Sequence, residues 1–193
     1  PSSAASDVYK RQLPGGVVTA KDTAEIQLDE NGEFVRNPEE DIVKVAVVER
    51  HQGTGNVACG FLKGYGIKAG AVALSIAHDS HNIIVVGVSD EEMEFAVNSL
   101  IAQEGGMVLV REGKVLESMP MPIAGLMSDQ SGEWVDEKLT AIHAKAYEEL
   151  GIAGDVEPVM TLCFCLFAVI PEVKLTDMGL FDVTTFSFIP VEA

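Results

Sequence analysis

The chain has 193 residues, 47% hydrophobic and 22% charged, with 30 Asp and Glu against 13 Lys and Arg for a net charge of -17. One core of ordinary globular size is within reach of such a composition. A nucleic-acid surface is not, because affinity for phosphates rests on Lys and Arg displacing counterions.

Three cysteines, Cys59, Cys163 and Cys165, are odd in number and lack metal-finger spacing, so a reducing, cytoplasmic setting is expected rather than a disulfide framework. Cys163 and Cys165 lie inside an apolar run and are expected as buried apolar residues. That run, Met160 to Ile170, is too short to cross a bilayer, and the N-terminus has no apolar signal-peptide centre, so no membrane association is expected.

Residues 1–12, PSSAASDVYKRQ, are polar and without period. They are expected as a disordered leader or a sequencing artefact, Asp7 to Gln12 resembling a translated adaptor, with the domain proper running over 13–193. Asn31-Gly32 between Glu25–Leu28 and Phe34-Val35 predicts a hairpin. The Val-rich stretch Ile42 to Glu49 predicts a buried strand. After Gly53-Thr54-Gly55, Asn56 is placed to cap a short helix through Phe61 and Leu62, closed near Gly64.

Ala71 to Ile76 and Ile83 to Val88 predict two apolar strands. Ser89 with Glu92 forms a capping box, and Met93, Ala96, Val97, Leu100 and Ile101 keep helical spacing to Gly105-Gly106. Met107–Val110 and Val115–Met119 predict a second hairpin about Glu112-Gly113, ended by Pro120 and Pro122. Asp129 and Ser131 are placed as caps of a second helix carrying Val135, Leu139, Ile142, Ala146 and Leu150, with Gly151 at its end. Helix to Phe167 and a closing strand over Val183 to Ile189 complete the reading. Strands and helices mix without strict βαβ alternation, so the fold class is α+β, a mixed sheet layered with helices.

The string Ala77-His78-Asp79-Ser80-His81-Asn82 between two apolar strands is where chemistry would be carried. Four readings compete. His78 and His81 with Asp79 offer metal ligands, although a catalytic metal needs a third fixed ligand. Ser80 as a nucleophile lacks elbow glycines. As substrate-contacting or lid groups, His78, Asp79, Ser80, His81 and Asn82 need only face a pocket. As plain connection, they satisfy one another and the strand ends. His51, Gly53, Thr54, Gly55 and Asn56 form a second candidate segment, whose glycines allow backbone N–H groups close approach to a ligand, without matching a phosphate-loop fingerprint. His143 is expected as a packed or surface residue of the second helix, not a ligand.

Five stretches go further: Val43–His51, Gly60–Gly66, Gly70–Gly87 with its His-Asp-Ser-His-Asn string, Met121–Asp129 and Leu175–Val183. In this order they resemble the C-terminal region of the adenine deaminases, over roughly Glu40 to the end. The resemblance implies an amidohydrolase that hydrolyses adenine to hypoxanthine and ammonia in purine salvage. It also implies a divalent metal (manganese or iron, with zinc as an alternative) held in a barrel, where it activates water.

That barrel's histidine-x-histidine motif has no counterpart in this sequence, so the chain is expected as a C-terminal fragment with the catalytic barrel absent, no metal of its own and no stand-alone turnover. Its expected partners are the barrel and, through it, adenine; a homo-oligomer stays open. The loop from His78 to Asn82 is placed at the active-site mouth, and no residue here is assigned as catalytic. Two other classes stand beside this one: a non-catalytic purine- or protein-binding module, and a self-contained metallohydrolase, which would show turnover in the chain itself.

Overall fold

The computed structural model describes residues 3–11 and 18–191, with side chains from residue 18 onward. Among these residues nine strands form one open sheet: β1 (Ser3–Arg11), β2 (Thr19–Leu28), β3 (Phe34–Val35), β4 (Ile42–Val48), β5 (Val57–Lys63), β6 (Ala71–Leu74), β7 (Ile83–Gly87), β8 (Gly106–Arg111) and β9 (Lys114–Pro120), in the order β3-β2-β1-β5-β4-β7-β6-β8-β9. Every pairing is antiparallel except β1 with β5. A second sheet of β10 (Val173–Thr176), β11 (Gly179–Asp182) and β12 (Ser187–Ile189) and three helices, α1 (Asp90–Ala102), α2 (Gly132–Glu148) and α3 (Pro158–Cys163), complete the α+β fold.

The central strands are apolar on both sides because both faces are covered. Val43, Val45, Val47, Val72, Ile84 and Leu109 meet Ile142 and Ala146 of α2, Leu162 of α3 and Leu175 and Leu180 of the second sheet. Ala46, Ala73, Ile83, Val85, Val108 and Val110 point the other way, onto Met93, Ala96 and Leu100 of α1. Burying a large apolar side chain contributes roughly 1.5–3 kcal/mol, and α1 takes its position from these contacts. Its start is fixed by Ser89, whose Oγ accepts from the Glu92 amide at 3.3 Å. The Glu92 carboxylate completes no box; it accepts from the Glu112 amide at 2.5 Å and ties α1 to the β8–β9 turn.

Several elements differ from the sequence reading. Val57–Lys63 is a strand, not a helix capped by Asn56: β4 offers it a full antiparallel ladder from Val48↔Val57 to Ile42↔Lys63. The glycines before it therefore belong to a hairpin loop. Helix α3 stops at Cys163, short of Phe167, because the Cys165 and Phe167 amides turn back onto Leu162 and Phe164, and Leu175 of β10 takes the Cys165 carbonyl. Asp129 pairs with Gln130 and leaves the capping of α2 to Ser131.

Val183 to Phe186 form a turn about the Asp182 carboxylate, which accepts from the Thr184 and Thr185 amides, so the closing strand begins only at Ser187. Within the expected leader, the backbone of Ser3–Arg11 forms β1 between β2 and β5; ladder bonds are main-chain bonds and make no demand on the apolar pattern that the sequence lacks. The remaining residues of that stretch lie outside the described ones. The expected apolar burial of Cys163 and Cys165 holds, and among the described residues no helix is long and apolar enough to cross a membrane.

Candidate functional site

The antiparallel registers bring four connections to one end of the large sheet. Val48 pairs with both Val57 and Ile83, Leu74 with Ile84 and Met107, and Gly106 with Pro120. The β4–β5, β6–β7, α1–β8 and β9–α2 loops therefore gather there. His51, Gly53, Thr54, Gly55 and Asn56 belong to the first; His78, Asp79, Ser80, His81 and Asn82 belong to the second.

The two segments touch. His51 Nε2 lies 2.7 Å from the Ser80 carbonyl oxygen, and since a carbonyl only accepts, the ring carries a proton on Nε2. In the first loop the Glu49 carboxylate gathers the amides of His51 (2.5 Å), Gln52 (2.8 Å) and Thr54 (3.0 Å) and the Thr54 hydroxyl (3.1 Å). Those donors, Thr54 and Gln52 foremost, pull its pKa down to about 2. Gly53 and Gly55 adopt positive φ with open space around them, and Asn56 donates its amide to Thr54 Oγ1. This loop is internally wired and exposed.

In the second loop the side chains divide by role. Asn82 is buried, and its Oδ1 accepts from the Arg50 amide at 3.3 Å. His78 donates its amide to the Cys163 carbonyl at 2.8 Å and packs its ring on Phe164 and Phe167, with His81 across from it. Asp79 and Ser80 are exposed. His81 takes a left-handed backbone, φ 54°, and its buried Nδ1 has no hydrogen-bond partner among the described residues. Burial, with His78 and Arg50 beside it, lowers its pKa below the ordinary value, so the ring is neutral at pH 7.

The residue that joins these loops, Arg50, escaped the sequence reading. Its Nε donates to the His81 carbonyl at 2.5 Å and its Nη2 to the Ala124 carbonyl at 2.8 Å. A Cβ on the next residue, Gly125, would lie 2.7 Å from Arg50 Nη1, so a side chain there would displace the guanidinium, and φ 73° favours glycine besides. Ser75, fully buried, donates to the Gly125 carbonyl at 2.5 Å and accepts from the Gly106 amide at 2.7 Å. Beside this network lies a cavity of about 370 Å³ bounded by Glu49, Arg50, Gly53, Ile83 and Ile101.

The only sequence signal for Arg50 was its place next to His51. His143, half-buried on α2, bridges the Leu139 carbonyl and the Glu157 carboxylate that caps α3. Among the described residues no three His, Cys, Asp or Glu side chains converge as a metal cradle, so His78, Asp79 and His81 do not fit a metal centre of their own.

The domain is thus a layered α+β fold with a wired, polar cluster of loops at one end of its large sheet. The adenine deaminase C-terminal domain family matches residues 16–187, and the chain belongs to that family. It is 68% identical over 181 residues to the protein named adenine deaminase 2 of Desulfotalea psychrophila, covering 94% of this chain and 31% of that protein. The adenine deaminase of Ligilactobacillus salivarius (48% over 180 residues, 93% and 31%) and adenine deaminase 2 of Carboxydothermus hydrogenoformans (48% over 179 residues, 93% and 31%) are similar in the same way. The chain thus spans 31% of the length of these curated relatives.

Proposed function

We propose that the chain serves in the hydrolytic deamination of adenine to hypoxanthine and ammonia, a cytoplasmic step of purine salvage, as the C-terminal domain of an amidohydrolase. In this reading it packs on a metal-binding barrel supplied by the rest of the polypeptide, and its loop end forms part of the active-site mouth. A divalent ion on the barrel, manganese or iron or alternatively zinc, would activate the attacking water. The residues described above would orient substrate and exclude solvent.

The observation that carries this reading is His81. A buried polar atom without a partner is rare in a folded protein and calls for an explanation. His81 Nδ1 is such an atom, on a residue whose backbone is held by Arg50 and by its own amide bond to the Ala77 carbonyl at 2.7 Å. A neutral imidazole with an exposed carboxylate, Asp79, two residues away suits a purine, whose ring nitrogens accept and whose exocyclic amine donates.

The test uses a full-length enzyme in which the matched residues of this chain replace those of the Desulfotalea psychrophila relative. His81→Ala and Asp79→Asn are each expected to lower turnover about tenfold to hundredfold, the scale of a misplaced substrate, with metal content unchanged. Full activity per folded molecule, or loss of the metal, would reject the mouth assignment.

A further inference from the structure

Helix α1 packs on β6, β7 and β8 and meets β4 at Ala46, leaving Val57 and Cys59 on the same face of β5 exposed. Register fixes which side chains lie there: Val48 opposite Val57, Ala46 opposite Cys59 and Lys44 opposite Phe61. Val57 is 56% exposed, as is Ile101 on the flank of α1. Between helix and strands runs a trough of about 390 Å³ with Ala46, Val48, Val57 and Cys59 on one side and Met93 and Val97 on the other. Val48 also borders the cavity of about 370 Å³ that ends on Glu49, Arg50 and Gly53, so the trough and the loop end adjoin at that residue. Lys44, the one cation lining the trough among the described residues, is held by both Asp90 oxygens at 2.7 Å and asks for no ionic ligand.

We infer that this groove is where the rest of the enzyme's polypeptide packs, through an apolar ridge flanked by basic side chains. The inference rests on the mouth reading above only for the identity of the occupant. Three observations favour it over other occupants. The groove follows β4 for five residues, at about 3.4 Å per residue, and adjoins the loop end at Val48, a run longer than a purine. Its rim carries Asp90, Glu94, Glu49 and Glu104, and a second copy would bring the same carboxylates and another net charge of -17 against them. The curated relatives carry more than twice this chain's length again in one polypeptide, and an interface between domains of one chain typically buries about 600–1,500 Å².

Cys59 on the groove floor supplies the test, because Cys163 and Cys165 are buried, their thiols pushed up to about 12 and about 11. Maleimide labelling at pH 8, read on the peptide that contains Cys59, is compared between the chain alone and the full-length enzyme carrying it. At least tenfold slower labelling in the full-length enzyme is expected. Val57→Asp, at an exposed strand end that tolerates the charge, is expected to restore fast labelling there.

Equal rates in the two proteins would overturn the inference. So would protection of the isolated chain that grows with its concentration, which would mark a second copy as the occupant. If Val57→Asp does not fold, the wild-type comparison still decides. Protection of Cys59 combined with full activity of His81→Ala and Asp79→Asn would uphold the packing face and reject only the mouth assignment.

Discussion

Replacing Arg50 by Lys isolates what the guanidinium does for the loop end, because charge and most of the stem remain while the planar fork is lost. Arg50 donates from Nε to the His81 carbonyl and from Nη2 to the Ala124 carbonyl, two groups 43 residues apart in sequence. A single ammonium can reach one of them in that geometry. A hydrogen bond involving a charged group is worth about 1.5–3 kcal/mol, and part exposure lets water replace some of it, so the loss comes to about 1–2 kcal/mol.

That energy falls on local opening, and 1–2 kcal/mol corresponds to about 5- to 30-fold in population. Amide exchange followed by NMR should accelerate by this factor at His81, which donates to the Ala77 carbonyl, and at Met127, which donates to the Ile123 carbonyl. Val85, buried in mid-sheet, should keep its rate. Unchanged exchange at both loops, or equal acceleration at Val85, would refute the view that Arg50 acts as a local clamp.

Glu49 offers a pH test: its pKa lies well below the value of about 4.5 expected unfolded, so the order it lends the β4–β5 loop is complete above that value and is lost as pH falls through about 2. Protection of the Thr54 amide should decline over that window and be absent at pH 6 in Glu49→Gln; a flat profile would count against it. Two glycines with positive φ should part company under substitution. A Cβ at Gly106 would lie 2.0 Å from the Met119 carbonyl oxygen, backbone that cannot move cheaply, so Gly106→Ala should cost more than about 3 kcal/mol in urea titrations. Gly113, at φ 67° with nothing within 4 Å, should cost about 1–2 kcal/mol, the left-handed penalty alone. Similar losses at the two sites would contradict the packing argument.

Elements that announce themselves through local chemistry were legible from sequence. Ser89 and Ser131 are caps in the structure, Asn31-Gly32 and Glu112-Gly113 are hairpin turns, and Val43, Val45 and Val47 are core. The failures share one cause, a hydrogen-bond partner that residue periodicity does not reveal. Val57–Lys63 has no helical or strand period strong enough to identify it, and becomes a strand because β4 supplies the ladder. The turn that delays β12 depends on Asp182, and the end of α3 on the claim of Leu175 to the Cys165 carbonyl.

The candidate site divides in the same way. Its polar residues stood out against apolar strands, whereas the network that organises them was hidden. Arg50, Ser75 and Gly125 come from three separate stretches, and only the strand order β4-β7-β6-β8-β9 brings their loops together.

This arrangement is more than connection requires. Two non-glycine residues, His81 and Ala124, hold left-handed backbones at φ 54° and 58°, a conformation that costs of order 1–3 kcal/mol at each position. Both present their carbonyls to the same guanidinium. A two-residue turn would join β6 to β7 without either strain or an arginine clamp. The strand that leads into Glu49 and Arg50 is β4, and β4 also floors the open groove. A body packed along that groove would press on Val48, one residue from Glu49 and two from Arg50, and so would bear directly on the loop whose imidazole nitrogen lacks a partner. On that proposal, packing of the rest of the enzyme would bear on the position of the His78–Asn82 loop through β4, by way of the bonds Arg50 makes to Asn82 and His81.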